Sequence, residues 1–239
     1  MFSEKDYYDV LNSFNLENVK GVVIDNRFDD LDEEKRETFM NNLKQCENLN
    51  YLKINSKEIE YIPDNLNNLE YLLIDEGLKI EDLLNNDKFK IKEIPKNLPK
   101  LRYLSIFFDV CKCKENYIEI PKSLTNLKVL DLYHTNNKIE IPETVENLKL
   151  VICPNINIDN LPNLKHLYIC GSKLEKIPET FINLETLHLK NCNNIKEIPE
   201  TLINLKEIDI CNCDNLIIPD KIKNIPDIKI DQYNEICMF

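Results

Sequence analysis

The 239-residue chain carries 42 acidic against 30 basic side chains, a formal net charge of −12, which repels a phosphate backbone or an anionic bilayer and disfavours nucleic acid and membrane as partners. No apolar stretch approaches the ~18 residues of a spanning helix, and the polar, acidic first residues are unlike a signal peptide. Nine cysteines, an odd number in a chain without a secretory signal, are poor material for a disulfide framework and fit a cytoplasmic protein.

In chain order, residues 1–15 read as an N-terminal helical cap, with Ser3 as N-cap and Tyr7, Val10, Leu11 and Phe14 on one helical face. From 16 to 230 one pattern recurs. Isoleucine-proline stands at Ile62, Ile94, Ile120, Ile141, Ile177, Ile198 and Ile218, each followed by a spaced apolar run, and the copy beginning at Ile177 repeats 21 residues later at Ile198. A period near twenty predicts stacked one-strand coils with a parallel sheet on one side and an extended, irregular outer side. About ten coils are expected, centred on Val22, Leu52, Leu72, Leu104, Leu130, Val151, Leu167, Leu187, Ile208 and Ile228.

Two insertions, at about 26–48 and 76–93, interrupt the N-terminal half. The first predicts an amphipathic helix over 32–48 with Phe39, Met40, Leu43 and Cys46 on one side; the second predicts a shorter helix over 80–86. Both belong on the convex side as braces. Residues 231–239 form a short C-terminal tail in which Tyr233, Ile236 and Phe239 are expected to cover the last coil.

Within a coil, numbered from its first leucine, positions 1, 4 and 6 are apolar and point inward, as Leu184, Leu187 and Leu189 do in one copy. Positions 3, 5 and 7 then point outward. Asparagine precedes position 1 at Asn18, Asn48, Asn68, Asn126, Asn147, Asn163, Asn183, Asn204 and Asn224, with Lys100 the exception. Its amide and tolerance of unusual dihedrals suit the corner entering the strand. Proline suits the outer segment, where no ladder needs its missing N–H.

The cysteines read as small buried apolar groups: Cys153 as the third apolar residue of its strand, Cys192 and Cys213 three residues beyond that position. Cys111-x-Cys113 and Cys211-x-Cys213 are narrower than structural zinc pairs, so no metal is expected. With only Gly21, Gly77 and Gly171 there is no phosphate-binding loop, and no cofactor is expected.

The runs Leu127-x-x-Leu130-x-Leu132, Leu164-x-x-Leu167-x-Ile169 and Leu184-x-x-Leu187-x-Leu189 resemble the leucine-rich repeat superfamily over nearly the whole chain. The short Ile-Pro-Glu-Thr copies are similar to the repeats of bacterial effectors and plant immune receptors, where Leu-Pro takes that place. The resemblance implies a curved α/β solenoid that binds protein on its concave sheet. It departs at position 9, where the family's asparagine gives way to Lys57, Gly77, Asp109, Thr135, Ile156, Ser172, Cys192 and Cys213. The usual internal asparagine ladder is therefore expected to be incomplete.

Counting outward positions along the stack, Tyr71, Leu73, Tyr103, Phe107, Val129, Tyr133, Leu150, Ile152 and Tyr168 are expected to form one exposed apolar patch on the concave face. His166 and His188 lie beside it, followed by acidic Glu207 and Asp209. Exposed apolar clusters mark interaction surfaces, and tyrosine supplies stiff contact area at low entropic cost. The two histidines, with Cys170 near, have no orienting group or oxyanion site in the sequence, so no catalytic role is expected.

These readings converge on a monomeric, non-enzymatic protein-interaction module with a protein partner. The alternatives are a substrate-recognition adaptor of a larger complex such as a ubiquitin ligase, against which the first ~48 residues do not read as an F-box, and a host-directed effector. The wealth of Ile, Lys and Asn suits an AT-rich genome, and in a parasite or virus the setting would be host cytoplasm.

Overall fold

The computed structural model describes residues 16–75, 90–108, 118–135 and 139–233. The chain divides into two compact units, residues 1–127 and 128–239. The cap expected over 1–15, the helix expected over 80–86, the end of the expected tail, and Cys111 and Cys113 lie outside the described residues.

In the first unit β1 (Gly21–Ile24), β2 (Tyr51–Ile54), β3 (Tyr71–Asp75) and β4 (Tyr103–Phe107) pair in parallel, each with its chain neighbour. Val22, Leu52, Leu72 and Leu104 form one buried row, and Ile24, Ile54, Ile74 and Ile106 the next. Strands this short cannot hold alone; their inward side chains stay dry because neighbouring coils pack against one another.

The expected first helix is α1 (Glu33–Lys44), shorter at its C-terminal end than the 32–48 pattern because Gln45 closes it. Its N-cap is Asp32, whose carboxylate accepts the Lys35 N–H at 2.9 Å, and Glu33 and Glu34 in the first turn suit the helix dipole. Phe39, Met40, Leu43 and Cys46 are buried as the pattern requires. Phe39 meets Phe28 edge-to-face at 5.3 Å. Arg36 then crosses to Glu58 at 2.7 Å, and Lys90 reaches the same carboxylate at 2.9 Å.

In the second unit β5 (Val129–Tyr133), β6 (Asn147–Val151), β7 (His166–Cys170), β8 (Thr186–Lys190), β9 (Glu207–Cys211) and β10 (Lys229–Tyr233) pair in parallel in chain order. Leu130, Leu148, Leu167, Leu187, Ile208 and Ile230 share one row, so successive coils lengthen by a residue at a time, from 18 to 22. The longest, ending at β10, contains the one-turn helix α2 (Asp220–Lys223).

This register corrects two of the expected centres. Leu148, not Val151, pairs with Leu130, and Ile230, not Ile228, pairs with Ile208. Residues 148–153 run Leu-Lys-Leu-Val-Ile-Cys, so apolar periodicity alone permits two frames and only neighbouring coils select one. The backbone confirms the frame: His134, Ile152, Gly171, Asn191 and Asn212, all at position 8, have positive φ of 51 to 65°. Each donates its N–H to the position-7 carbonyl of the next coil, from His134 to Val151 at 2.8 Å through Asn212 to Tyr233 at 3.1 Å.

The same frame moves Cys153 out of its strand into position 9. There Thr135, Cys153, Cys192 and Cys213 are buried. Each of these thiols donates back to the carbonyl two residues earlier, Cys153 to Val151 at 3.3 Å, Cys192 to Lys190 at 3.3 Å and Cys213 to Cys211 at 3.5 Å. Thiols thus take part of the work of the asparagines missing from position 9.

Asparagine is used elsewhere. At the corner, the side-chain amides of Asn48, Asn68 and Asn126 in the first unit, and Asn163, Asn183 and Asn204 in the second, each donate to a backbone carbonyl of the preceding coil at 2.6 to 2.9 Å. Lys100, the exception in the sequence, instead places its ammonium 2.6 Å from the Asn68 side-chain oxygen. The asparagine at 147 is no corner; it opens β6. The isoleucines of the Ile-Pro pairs are all buried, as expected of an inward-pointing outer segment.

One residue after the apolar corner residue, Leu127, Val145, Leu164, Leu184 or Leu205, runs a row of alternating charge that periodicity does not announce. Glu146 lies 2.7 Å from Lys128 and 2.8 Å from Lys165, and Glu185 lies 2.5 Å from Lys206. The two lysines hold the Glu146 carboxyl at a pKa of about 2, well below its ordinary 4.5. A coil shifted by one place would lose both contacts, so the row favours the observed stacking.

Candidate functional site

The outward side chains of each unit form rows of three per strand. In the first unit Tyr51, Tyr71 and Tyr103 are register partners, with Lys53, Leu73 and Ser105 in the next row and Asp75 opposite Phe107 in the third. Tyr71 and Tyr103 rings lie 6.2 Å apart, tilted by 37°, and Tyr71 is 45 % exposed. The expected residues Tyr71, Leu73, Tyr103 and Phe107 therefore share one face, and Tyr51 extends it.

In the second unit the middle row reads Asp131, Lys149, Tyr168, His188, Asp209 and Asp231. Val129, His166 and Glu207 lie in the row on one side, Tyr133 in the row on the other. All of these are expected face residues except Asp131, Lys149 and Asp231 as site members. Two expectations fail. Leu150 points inward and is buried at 3 % exposure, and Ile152 lies past the end of β6 in the left-handed position. Lys149 and Val151 take their places on the face, so its middle is not purely apolar.

Lys149 is the feature the sequence reading missed. Its ammonium sits 5.1 Å from the Tyr133 ring centroid and 5.1 Å from that of Tyr168, over two faces at once. A hydrogen bond to Tyr133, with the charge of Asp131 adding, raises its pKa above the ordinary 10.5. Burial raises the Tyr168 pKa in turn. One signal could have found it: Leu150-x-x-Cys153 matches Leu189-x-x-Cys192 and Ile210-x-x-Cys213, which fixes the frame of β6.

The two histidines are not side by side. His166 is the register partner of Thr186 and its Nδ1 lies 2.9 Å from that hydroxyl, whereas His188 is the partner of Tyr168 and Asp209. Tyr168 and His188 rings are 6.3 Å apart at 31°. His188 Nδ1 lies 3.4 Å from Asp209 and its Nε2 4.0 Å from Glu207. The Tyr233 hydroxyl donates to the same Asp209 oxygen at 3.4 Å, while the other oxygen is buried without a partner. Among the described residues no group of three or more His, Cys, Asp and Glu is placed to hold a metal ion, and no helix is long and apolar enough to cross a membrane.

This arrangement of stacked one-strand coils is the leucine-rich repeat fold. A family model described as Leucine Rich Repeat matches residues 183–205, which hold β8. Among solved structures, a leucine-rich repeat protein of Leptospira interrogans is similar at 22 % identity and a TM-score of 0.51, over 82 % of this chain and 58 % of its own. InlP of Listeria monocytogenes is similar at 17 % identity and a TM-score of 0.51, over 97 % of this chain and 68 % of its own. No curated protein matches. The fold is commonly a protein-interaction scaffold rather than an enzyme.

Proposed function

We propose that this protein is a non-enzymatic interaction module whose outward strand face in the second unit holds a protein partner. The observation that carries the reading is the run of Tyr133, Lys149 and Tyr168, two half-buried aromatic rings bracketing a cation, followed in the same face by His188, Glu207 and Asp209. Tyrosines held by neighbours offer contact area with little entropy left to lose on binding. The carboxylates at the other end suit a basic segment of the partner and would quicken its approach at low salt.

The test is affinity capture from cytosol with wild type beside Tyr133→Asp/Tyr168→Asp, and beside Ile182→Asp/Ile203→Asp as a control at exposed positions away from the strand face. Circular dichroism first establishes that all three fold. A partner held by wild type and the control but lost by the tyrosine variant supports the face; a partner kept by the tyrosine variant sinks it.

A further inference from the structure

Cys192 and Cys213 occupy the same position in neighbouring coils. The residues two places before them, Lys190 and Cys211, are register partners, and each thiol bonds back to the carbonyl of its own one. The Cys192 N–H donates to the Cys213 sulfur at 3.3 Å. Parallel strands stack ~4.8 Å apart, inside the roughly 4.4–6.8 Å between Cα atoms that a disulfide spans. No other pair of described cysteines stands this way. Cys170 and Cys211 are held apart by the strand carrying Lys190, and position 9 of the coil between Cys153 and Cys192 is Ser172.

The two thiols are also unequal. The Cys192 side chain, together with the Cys192 N–H that points at the Cys213 sulfur at 3.3 Å, lowers the Cys213 pKa, whereas the Cys213 side chain and burial raise that of Cys192. A thiolate is the nucleophile in oxidation, so the pair has a defined attacking sulfur and a defined resolving one.

We propose that Cys192 and Cys213 form an oxidative modification site, a latent disulfide between the coils of β8 and β9 made by a hydroperoxide. The Cys213 thiolate attacks one peroxide oxygen; the S–O bond forms, the O–O bond breaks and hydroxide leaves, giving a sulfenic acid. The Cys192 sulfur then attacks the Cys213 sulfur; the S–S bond forms, the S–O bond breaks, and the thiol proton leaves with the hydroxyl as water. Two thiols and one hydrogen peroxide give one disulfide and two waters. Cys192 is 0 % and Cys213 3 % exposed, so the reaction waits on local opening of the coil and a small oxidant. The bond would tie the coil bearing Glu207 and Asp209 to the one bearing His188.

The full chain, reduced, is treated with hydrogen peroxide, alkylated in denaturant, digested without reductant and mapped by mass spectrometry. The expected result is a peptide joining Cys192 to Cys213, lighter by two hydrogens, with loss of both alkylation sites and their return after a dithiol reductant. Cys192→Ser should leave a sulfenic acid at Cys213 that a 1,3-dione traps. Full alkylation of both residues after treatment, linkage of either to a different cysteine, or trapping at Cys192 in Cys213→Ser with none at Cys213 in Cys192→Ser overturns the proposal.

Discussion

The two units solve one packing problem by different means. In residues 128–239 the coils lengthen by single residues and, beyond the corner asparagines that both units use, are joined by repeated rungs: the left-handed N–H row and the alternating charges. In residues 1–127 the matched residues Val22, Leu52, Leu72 and Leu104 are separated by steps of 30, 20 and 32 residues, and the extra chain must bury something of its own. It does so with α1, the Phe28–Phe39 contact and the ion pairs of Glu58. Regular coils are held by many small equal terms, irregular ones by a few large local ones.

That contrast can be broken by removing the largest local term. Phe28 is 1 % exposed, and Phe28→Ala should cost about 3–5 kcal/mol, read as a lower urea midpoint. A cost under about 1 kcal/mol would show that the insertion is not what holds the first unit.

The second unit can be sharpened at its one irregular rung. Ile152 holds φ at 52° where the equivalent positions are His134, Gly171, Asn191 and Asn212. A β-branched residue there is strained by roughly 1–2 kcal/mol. Ile152→Asn should raise the melting temperature by a gain of about 1 kcal/mol or less, since some side-chain burial is lost. The reverse change, Gly171→Ala, should lower it, because an added Cβ would meet Ile152 at 3.3 Å in a backbone conformation that already disfavours it.

The smallest effect belongs to the charge row. Glu146 and its lysines are 28 % and 46 % exposed, so Glu146→Gln should cost about 1 kcal/mol or less. Because its folded pKa, about 2, lies below the ordinary 4.5, the contribution is fully present above that ordinary value and fades as pH falls from 4.5 towards 2. The stability difference between wild type and Glu146→Gln, measured by urea titration at low salt, should shrink as pH falls from 4.5 towards 2; a difference that stays constant over that range would assign it to something other than charge.

By itself the sequence determined the leucine-rich repeat fold, the parallel one-strand coils, the buried isoleucine beside each proline, α1 and its buried face, and nearly every coil centre. These rest on local periodicity, which survives without knowledge of neighbours. Tertiary structure decided what periodicity leaves degenerate. The frame of β6 depended on which of two apolar alternations its neighbours could pair with, and that choice turned Leu150 inward and put Lys149 between Tyr133 and Tyr168. The corner asparagines, the charge row and the pairing of Cys192 with Cys213 join residues about 20 apart in sequence. Such partners are chosen by coil register, a property of the stack rather than of any one repeat.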